Sequence, residues 1–201
     1  YNNYFNVDHI GINMLHCDDA GIISIVRDTI NVGDASINAT GNVGINVVMM
    51  GNTTSDSSVN ISANVINSHG AAAGISCNTL RKGQMIDNHI NILRTGNSIV
   101  CSGILMDNCY ETKALDNTIN GSDTTDVLQM GISLAQSDNC KLYCNYTNDT
   151  YDGIFATNSC VNSDVRSNTM HNHFNGLHLS SSADIYPQYW RGNRWTGTYS
   201  Y

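Results

Sequence analysis

The sequence is poor in charged residues, which make up 13% of its 201 residues against about 25% in an ordinary globular protein. Lysine and arginine together number 9, so no basic stripe is present to neutralise phosphates, and binding to duplex nucleic acid is not expected. Glutamate occurs once, at Glu111, and this scarcity of strong helix formers argues against a helix-rich fold. No apolar run reaches the roughly 18 residues of a transmembrane helix, so membrane insertion is not expected either.

The sequence also lacks the features of a native N-terminus and the composition of a disordered chain. Neither a signal peptide nor an initiator methionine precedes Tyr1, which leads us to expect a piece of a longer chain. The net charge of −8 is modest for this length, and Ile, Val, Leu and Met recur throughout, so the chain is expected to fold. Residues 1–201 are interpreted as a single domain.

What the sequence does contain is an internal repeat. Seven glycines that are each followed by Ile or Leu recur at spacings of 22 to 33 residues, and apolar residues alternate after each of them. Alternation with a period of two indicates a strand with one buried face. The repeats begin near Gly11, Gly44, Gly74, Gly103, Gly131, Gly153 and Gly176.

Each repeat carries a second motif, apolar-x-x-Asn-x-apolar-Asn, which draws on the 28 asparagines of the chain. An asparagine at a turn tolerates the left-handed backbone region that a sharp corner demands. Stacked asparagine side chains can also exchange hydrogen bonds between neighbouring repeats, forming a ladder. The predicted ladder residues are Asn31, Asn64, Asn67, Asn88, Asn91, Asn117, Asn120, Asn145, Asn148, Asn168 and Asn193.

Together the two motifs predict an all-β fold, a right-handed single-stranded parallel β-helix (a solenoid) of about seven coils with asparagine ladders. One coil of two or three short strands cannot bury its apolar face alone, but coils stacked at about 4.8 Å share a continuous core. The shortest repeats, of 22 and 23 residues, suit this architecture better than a narrow left-handed hexapeptide type.

The combination of Gly-Ile-x-apolar with apolar-x-x-Asn-x-Ile resembles the repeats of the parallel β-helix family, which includes the pectate-lyase-like superfamily and NosD-like proteins. The resemblance covers the chain from Asn3 to about Trp195. The richness in Asn, Cys and Tyr is similar to that of large secreted surface proteins of the Bacteroidetes type, which implies an extracellular or cell-surface location.

From this resemblance we expect a non-catalytic module of a secreted or cell-surface bacterial protein, which acts as a stalk, an adhesin or a glycan-binding surface. Its partners would be glycans or neighbouring domains of the same long chain. The alternative is a fragment of a carbohydrate-active enzyme, a polysaccharide lyase or glycoside hydrolase that uses outward aspartates. Fold alone does not separate the two, because this scaffold carries both.

Aspartates are the candidates for catalysis or metal binding. Asp87 and Asp116 each precede a ladder asparagine in adjacent repeats, so we expect them about 5 Å apart and pointing outward. Such a pair forms either a solvated surface column or, if a cation bridges it, a calcium site, and Asp107 is a further candidate. No other cofactor is expected. The motifs typical of polygalacturonases are missing, and the basic residues are too few for an obvious polyuronate groove.

Cysteines, histidines and outward residues complete the candidates. Cys17, Cys77, Cys109 and Cys160 fall in apolar columns and are predicted to lie in the core, whereas Cys140 and Cys144 lack zinc spacing.

The cluster of His171, His173 and His178 resembles a metal site by spacing, although His171 occupies a ladder position and is predicted to replace asparagine there. A mostly polar outward column that could bind glycans consists of Asn13, Asn46, Ser76, Leu105, Ser133, Phe155 and His178.

Overall fold

The structure is a computed structural model that describes residues 2–15, 22–33, 42–49, 58–70, 73–93, 100–186 and 192–197. These residues form strands joined by turns and short connections. Within them, no helix is long and apolar enough to cross a membrane. The strand content follows from apolar and β-branched residues that recur at every second position, a spacing that suits a pleated, half-buried surface.

The strands assemble into three sheets in the described part of the chain. The asparagine sheet contains β1 (Tyr4–Val7), β4 (Thr29–Val32), β7 (Val65–His69), β10 (His89–Leu93), β13 (Thr118–Asn120), β16 (Tyr146–Asn148), β19 (Thr169–His171) and β21 (Arg194–Thr196). The glycine sheet, which carries the Gly-Ile motif, contains β2 (Ile10–Leu15), β5 (Val43–Val48), β8 (Ala73–Asn78), β11 (Cys101–Asp107), β14 (Gln129–Ala135), β17 (Asp152–Ser159) and β20 (Asn175–Asp184). The lateral sheet contains β3 (Ile22–Val26), β6 (Ser58–Ser62), β9 (Gln84–Ile86), β12 (Lys113–Leu115), β15 (Lys141–Tyr143) and β18 (Asp164–Arg166).

Except for the last strand of each sheet, every described strand pairs in parallel with the strand one repeat later. In the glycine sheet, Ile45 pairs with Ile75, Ile75 with Ile104, and Ile104 with Ile132. Equivalent positions of successive repeats therefore lie beside each other, and like side chains stack. The predicted all-β class with parallel sheets is confirmed, and the repeated arrangement is compatible with a parallel β-helix.

The core consists of stacked apolar columns from all three sheets. The asparagine sheet contributes a column of fully buried isoleucines, and the glycine sheet contributes the column described above. The asparagine-sheet column contains Ile30, Ile66, Ile90 and Ile119. Burial of one such side chain contributes roughly 1.5–3 kcal/mol, and each repeat covers the apolar face of the next.

The repeated glycines are required by a close approach between sheets. A Cβ at Gly44 would lie 2.5 Å from Cγ2 of Ile66 and 2.6 Å from the carbonyl oxygen of Gly74. Such separations are shorter than van der Waals contact, so a larger residue would push the glycine sheet away from the asparagine sheet. The glycine column thus brings the isoleucine columns into contact.

The turn from the lateral sheet to the asparagine sheet contains one left-handed residue in each repeat. That residue directly precedes the buried asparagine, as Asp87 (φ 55°) precedes Asn88 and Asp116 (φ 55°) precedes Asn117, or precedes Asp28 in the case of Arg27. The full set is Arg27, Ala63, Asp87, Asp116, Cys144 and Ser167. The prediction that the asparagine itself adopts the left-handed conformation is therefore wrong. Its side chain instead serves as a hydrogen-bonding group inside the turn.

The buried asparagines form an inner row that links successive turns. Nδ2 of each donates to Oδ1 of the next at 2.9 Å, and the backbone N–H donates to the same oxygen at 2.9–3.1 Å. Asp28 holds the equivalent position in an earlier repeat, where Oδ1 accepts from Nδ2 of Asn3 at 2.8 Å. The row contains Asn64, Asn88, Asn117, Asn145, Asn168 and Asn193.

A second, outer row lies on the asparagine sheet and runs in the opposite direction. Nδ2 of Asn67 donates to Oδ1 of Asn31 at 2.7 Å, and the same bond recurs from Asn91 to Asn67 at 2.8 Å and from Asn120 to Asn91 at 3.1 Å. Asn148 departs from this pattern, since its Nδ2 donates to Asp149 at 2.8 Å. Ten of the eleven asparagines selected from the sequence thus fall into two hydrogen-bonded rows, and Asn148 is the exception.

Candidate functional site

Asp87 and Asp116 lie in neighbouring turns. The preceding residues Ile86 and Leu115 are register partners, and the backbone N–H of Asp87 donates to the carbonyl oxygen of Leu115 at 3.1 Å. Both side chains are exposed. Within the described ranges, no group of three or more His, Cys, Asp and Glu residues could hold a metal ion.

Asp107 does not join this pair. It ends β11 in the glycine sheet, where Oδ2 accepts from Nδ2 of Asn78 at 3.0 Å and Oδ1 accepts from Nδ2 of Asn108 at 3.1 Å. Asp107 therefore binds two asparagine side chains on a different edge of the fold. The adjacent aspartates Asp18 and Asp19 lie outside the described residues.

The three histidines with metal-like spacing have separate partners. His171 takes the register position after Asn148 and contacts Oγ1 of Thr196 at 2.9 Å. His178 contacts the buried carboxylate of Asp152 at 3.0 Å. His173 is buried, and this burial lowers its pKa below the ordinary value of 6.5. The outward column of the glycine sheet, which ends at His178, is in register throughout.

Five cysteines of the described chain lie in the core, namely Cys77, Cys101, Cys109, Cys140 and Cys160, and the thiols of Cys77, Cys109, Cys140 and Cys160 are free. Burial raises the pKa of Cys77 and of Cys140 to about 12, so these thiols remain protonated at neutral pH. The exposed cysteine of the described chain is Cys144, and Cys17 lies outside it. The buried cysteines behave as small apolar residues, as the sequence predicts for Cys77, Cys109 and Cys160.

A groove of about 580 Å³ lies where the lateral sheet meets the connections that enter it from the glycine sheet. One wall is the start of three lateral strands and presents Gln84, Lys113 and Lys141. The other wall presents Lys82, Glu111, Asn139 and Asn162 from the connections. This groove was not predicted from the sequence, because its charged residues lie in different repeats.

The connection wall has a regular backbone of its own. Its four lining residues all have left-handed φ values, between 52° and 58°. The backbone N–H of Lys82 donates to Tyr110 at 2.9 Å, that of Glu111 to Asp138 at 3.1 Å, and that of Asn139 to Val161 at 2.9 Å. Stacking of successive repeats therefore continues through the connections, which fixes the direction of the groove side chains.

The groove concentrates the scarce charge of the chain. All three lysines of the sequence, Lys82, Lys113 and Lys141, line it together with the single glutamate, Glu111. Lys113 and Lys141 are register partners on β12 and β15, so their Cα atoms lie about 4.8 Å apart. In the described part of the chain neither lysine forms an ion pair. The groove is thus locally cationic in a chain of net charge −8.

A smaller hollow of about 160 Å³ lies further along the lateral sheet and is lined by Tyr143, Cys144, Arg166 and Ser167. The hydroxyl of Tyr143 donates to Oδ2 of Asp164 at 2.6 Å. Arg166 forms an ion pair with Asp164, and its guanidinium carbon lies 5.3 Å from the centre of the Tyr143 ring. These contacts engage the polar atoms of Tyr143 and Arg166 with Asp164.

The aromatic residues near the C-terminal end are described only in part. Trp195 is half exposed, and its indole lies against Gly176, whereas Tyr189, Trp190, Tyr199 and Tyr201 lie outside the described residues.

No protein-family model, curated protein or solved structure matches the chain. The groove is therefore the feature of the described chain from which a function can be inferred.

Proposed function

We propose that this chain is a right-handed parallel β-helix of about seven coils whose asparagine rows act as ladders, and that it is a non-catalytic, glycan-binding module of a secreted or cell-surface bacterial protein. The in-register parallel sheets support this architecture. The repeat resemblance supports the location and the role as a stalk or adhesin.

The groove on the lateral sheet is the observation that carries the glycan-binding proposal. Its volume of about 580 Å³ is within the range of roughly 300–1,000 Å³ that small-molecule sites occupy. The amides of Gln84, Asn139 and Asn162 can both donate to and accept from sugar hydroxyls. The hydrogen-bonded connections hold these amides in place, so little side-chain and loop ordering is needed when a ligand binds.

The runner-up is a carbohydrate-active enzyme, and Glu111 favours it. A carboxylate beside three ammonium groups in one groove offers a proton acceptor and cationic groups to a substrate. Most glycoside hydrolases, however, use two carboxyl groups that flank the scissile bond. Glu111 is the one carboxylate among the groove-lining residues, and Asp87 and Asp116 are not among them. This arrangement favours binding over hydrolysis.

The test combines a binding assay with a product assay. Affinity electrophoresis through gels that contain neutral or acidic polysaccharides measures retention, and reducing-end and ultraviolet assays detect cleavage products. We expect retention by at least one polysaccharide without product formation. Product formation that Glu111→Gln abolishes would support the enzyme instead, and the absence of retention on every polysaccharide would overturn the glycan-binding proposal.

A further inference from the structure

We infer that the groove selects an anionic glycan, whose carboxylate or sulfate group lies between the ammonium groups of Lys113 and Lys141. This inference rests on the proposed glycan-binding function and specifies the ligand class for the same groove. The inference is supported by the stacking of two like charges, by the distribution of charge over the chain, and by the polar groups that surround the lysine pair.

The lysine pair is unfavourable for the free protein. Like charges on directly paired residues of neighbouring strands destabilise a sheet, and Lys113 pairs directly with Lys141. The adjacent register positions do not extend the positive charge, because Gln84 precedes Lys113 and Asp164 follows Lys141. One anionic group placed between the two ammonium groups would relieve their repulsion and form charge-assisted hydrogen bonds with both.

The groove carries an excess of positive charge, whereas the protein as a whole is negatively charged. The chain carries 17 acidic residues against 9 basic ones, so an anion is repelled by most of the surface. The groove instead contains three lysines and one glutamate, Glu111. A concave site with an excess of one sign of charge concentrates the field and raises the local concentration of oppositely charged ligand.

The remaining lining residues indicate a sugar acid rather than a simple inorganic anion. Glu111 would repel a second negative group, but its carboxylate accepts hydrogen bonds from hydroxyls. Asn139 and Asn162 add donors and acceptors on the same wall. The arrangement suits a saccharide that places one acidic group on the lysine pair and its hydroxyls along the connection wall.

The experiment compares four proteins on three polymers. Lys113→Gln, Lys141→Gln and Arg27→Gln each remove one positive charge, and Arg27 lies in an earlier repeat, on a different turn and outside the groove. Dissociation constants are measured for polygalacturonate, dextran sulfate and neutral dextran. We expect each lysine variant to weaken binding to an acidic polymer about tenfold, equivalent to about 1.4 kcal/mol. Arg27→Gln should bind like the wild type, and dextran should bind weakly to all four proteins.

The outcomes separate the two proposals. Tighter binding to polygalacturonate identifies a carboxylate ligand, and tighter binding to dextran sulfate identifies a sulfate ligand. Equal affinity for dextran and the acidic polymers would overturn the anion selectivity but preserve glycan binding. The absence of binding to all three polymers, and to the wider polysaccharide set above, would overturn both. An equal loss in Arg27→Gln would overturn the groove assignment, because binding would then follow total charge. A fifth protein, Lys141→Arg, keeps the charge and should retain binding.

Discussion

Asn88 is bonded twice to Asn117, because its backbone N–H and its side-chain Nδ2 both donate to Oδ1 of Asn117, at 3.0 and 2.9 Å. Nδ2 of Asn117 in turn donates to Oδ1 of Asn145 and to the carbonyl oxygen of Met85, both at 2.9 Å. Every polar atom of this side chain is therefore engaged, in a turn from which water is excluded. The inner row makes each turn dependent on its neighbours.

We expect Asn117→Ala to lower the free energy of unfolding by about 3 kcal/mol, because it leaves several buried donors and acceptors without partners. Urea unfolding followed by circular dichroism measures the loss. Asn120→Ala is the matched control in the half-buried outer row, where water can replace the lost hydrogen bonds, and should cost about 1 kcal/mol. Equal losses in the two variants would contradict the distinction between the rows.

Asp28 occupies an inner-row position but lacks the side-chain amide group that the asparagines of the row use. Its backbone N–H donates to Oδ1 of Asn64 at 2.9 Å, but an ionised carboxylate has no side-chain N–H for the bond that each later asparagine makes. Asp28→Asn should supply that donor and raise the free energy of unfolding by about 1 kcal/mol, as measured by the urea midpoint. Asp8→Asn, at an exposed site of the same end, should leave the midpoint unchanged. A destabilised Asp28→Asn protein would refute this account.

Gly103 shows how little space the glycine column leaves. A Cβ there would lie 2.5 Å from Cγ2 of Ile119 and 2.8 Å from the carbonyl oxygen of Gly131, whereas a Cβ at Gly192 would meet nothing within 4 Å. We expect Gly103→Ala to destabilise the protein by about 3 kcal/mol through overpacking. Gly192→Ala should have little effect. Thermal unfolding of both variants tests the contrast, and an unchanged Gly103→Ala protein would mean that the two sheets can separate at low cost.

Cys144 and Cys77 differ in access to reagents. Cys144 is exposed, whereas Cys77 is buried and burial raises its pKa to about 12. Because the thiolate is the reactive form, iodoacetamide should modify Cys144 in the folded protein and Cys77 after unfolding in urea. Peptide mapping by mass spectrometry reports each site. Rapid modification of Cys77 without denaturant would show that the core opens, and Cys144→Ser should leave the protection of Cys77 unchanged.

The parallel-sheet class was predictable because glycine and isoleucine recur in phase. Ile75, Ile104 and Ile132 each follow a repeat glycine, and the structure pairs them in register. The left-handed turn position was not predictable in the same way. Its six occupants include Arg27, Ala63 and Cys144, which share no side-chain chemistry, so no residue pattern in the sequence marks the position.

The groove was missed although the sequence contains its signal. Lys113 and Lys141 each follow their repeat glycine by ten residues, and Lys82 and Glu111 each follow theirs by eight. Aligning the repeats by their glycines therefore places these charges in two adjacent columns. The left-handed connections that bring the columns together as facing walls follow from backbone hydrogen bonds and have no residue pattern of their own.

His173 is a buried titratable group whose charge state affects folding. Nε2 lies 3.0 Å from the carbonyl oxygen of Thr147, and Nδ1 lies 2.8 Å from that of Thr150. Burial lowers the pKa of His173 below 6.5, and the hydrogen bonds to Thr150 and Thr147 oppose this effect only in part. The folded protein therefore keeps the ring neutral at a pH where the unfolded chain already binds a proton.

We expect this difference to make stability depend on pH with a definite sign. The contribution of His173 is fully present above pH 6.5, the value for the unfolded chain, and is lost as the pH falls from there through the lower folded pKa. The urea midpoint measured between pH 7.5 and 5 should therefore fall on acidification. His173→Gln should flatten that fall, whereas His89→Gln, at an exposed position, should keep it. An equally steep fall in His173→Gln would assign the pH dependence to other groups, since glutamine does not titrate and the rest of the chain is unchanged.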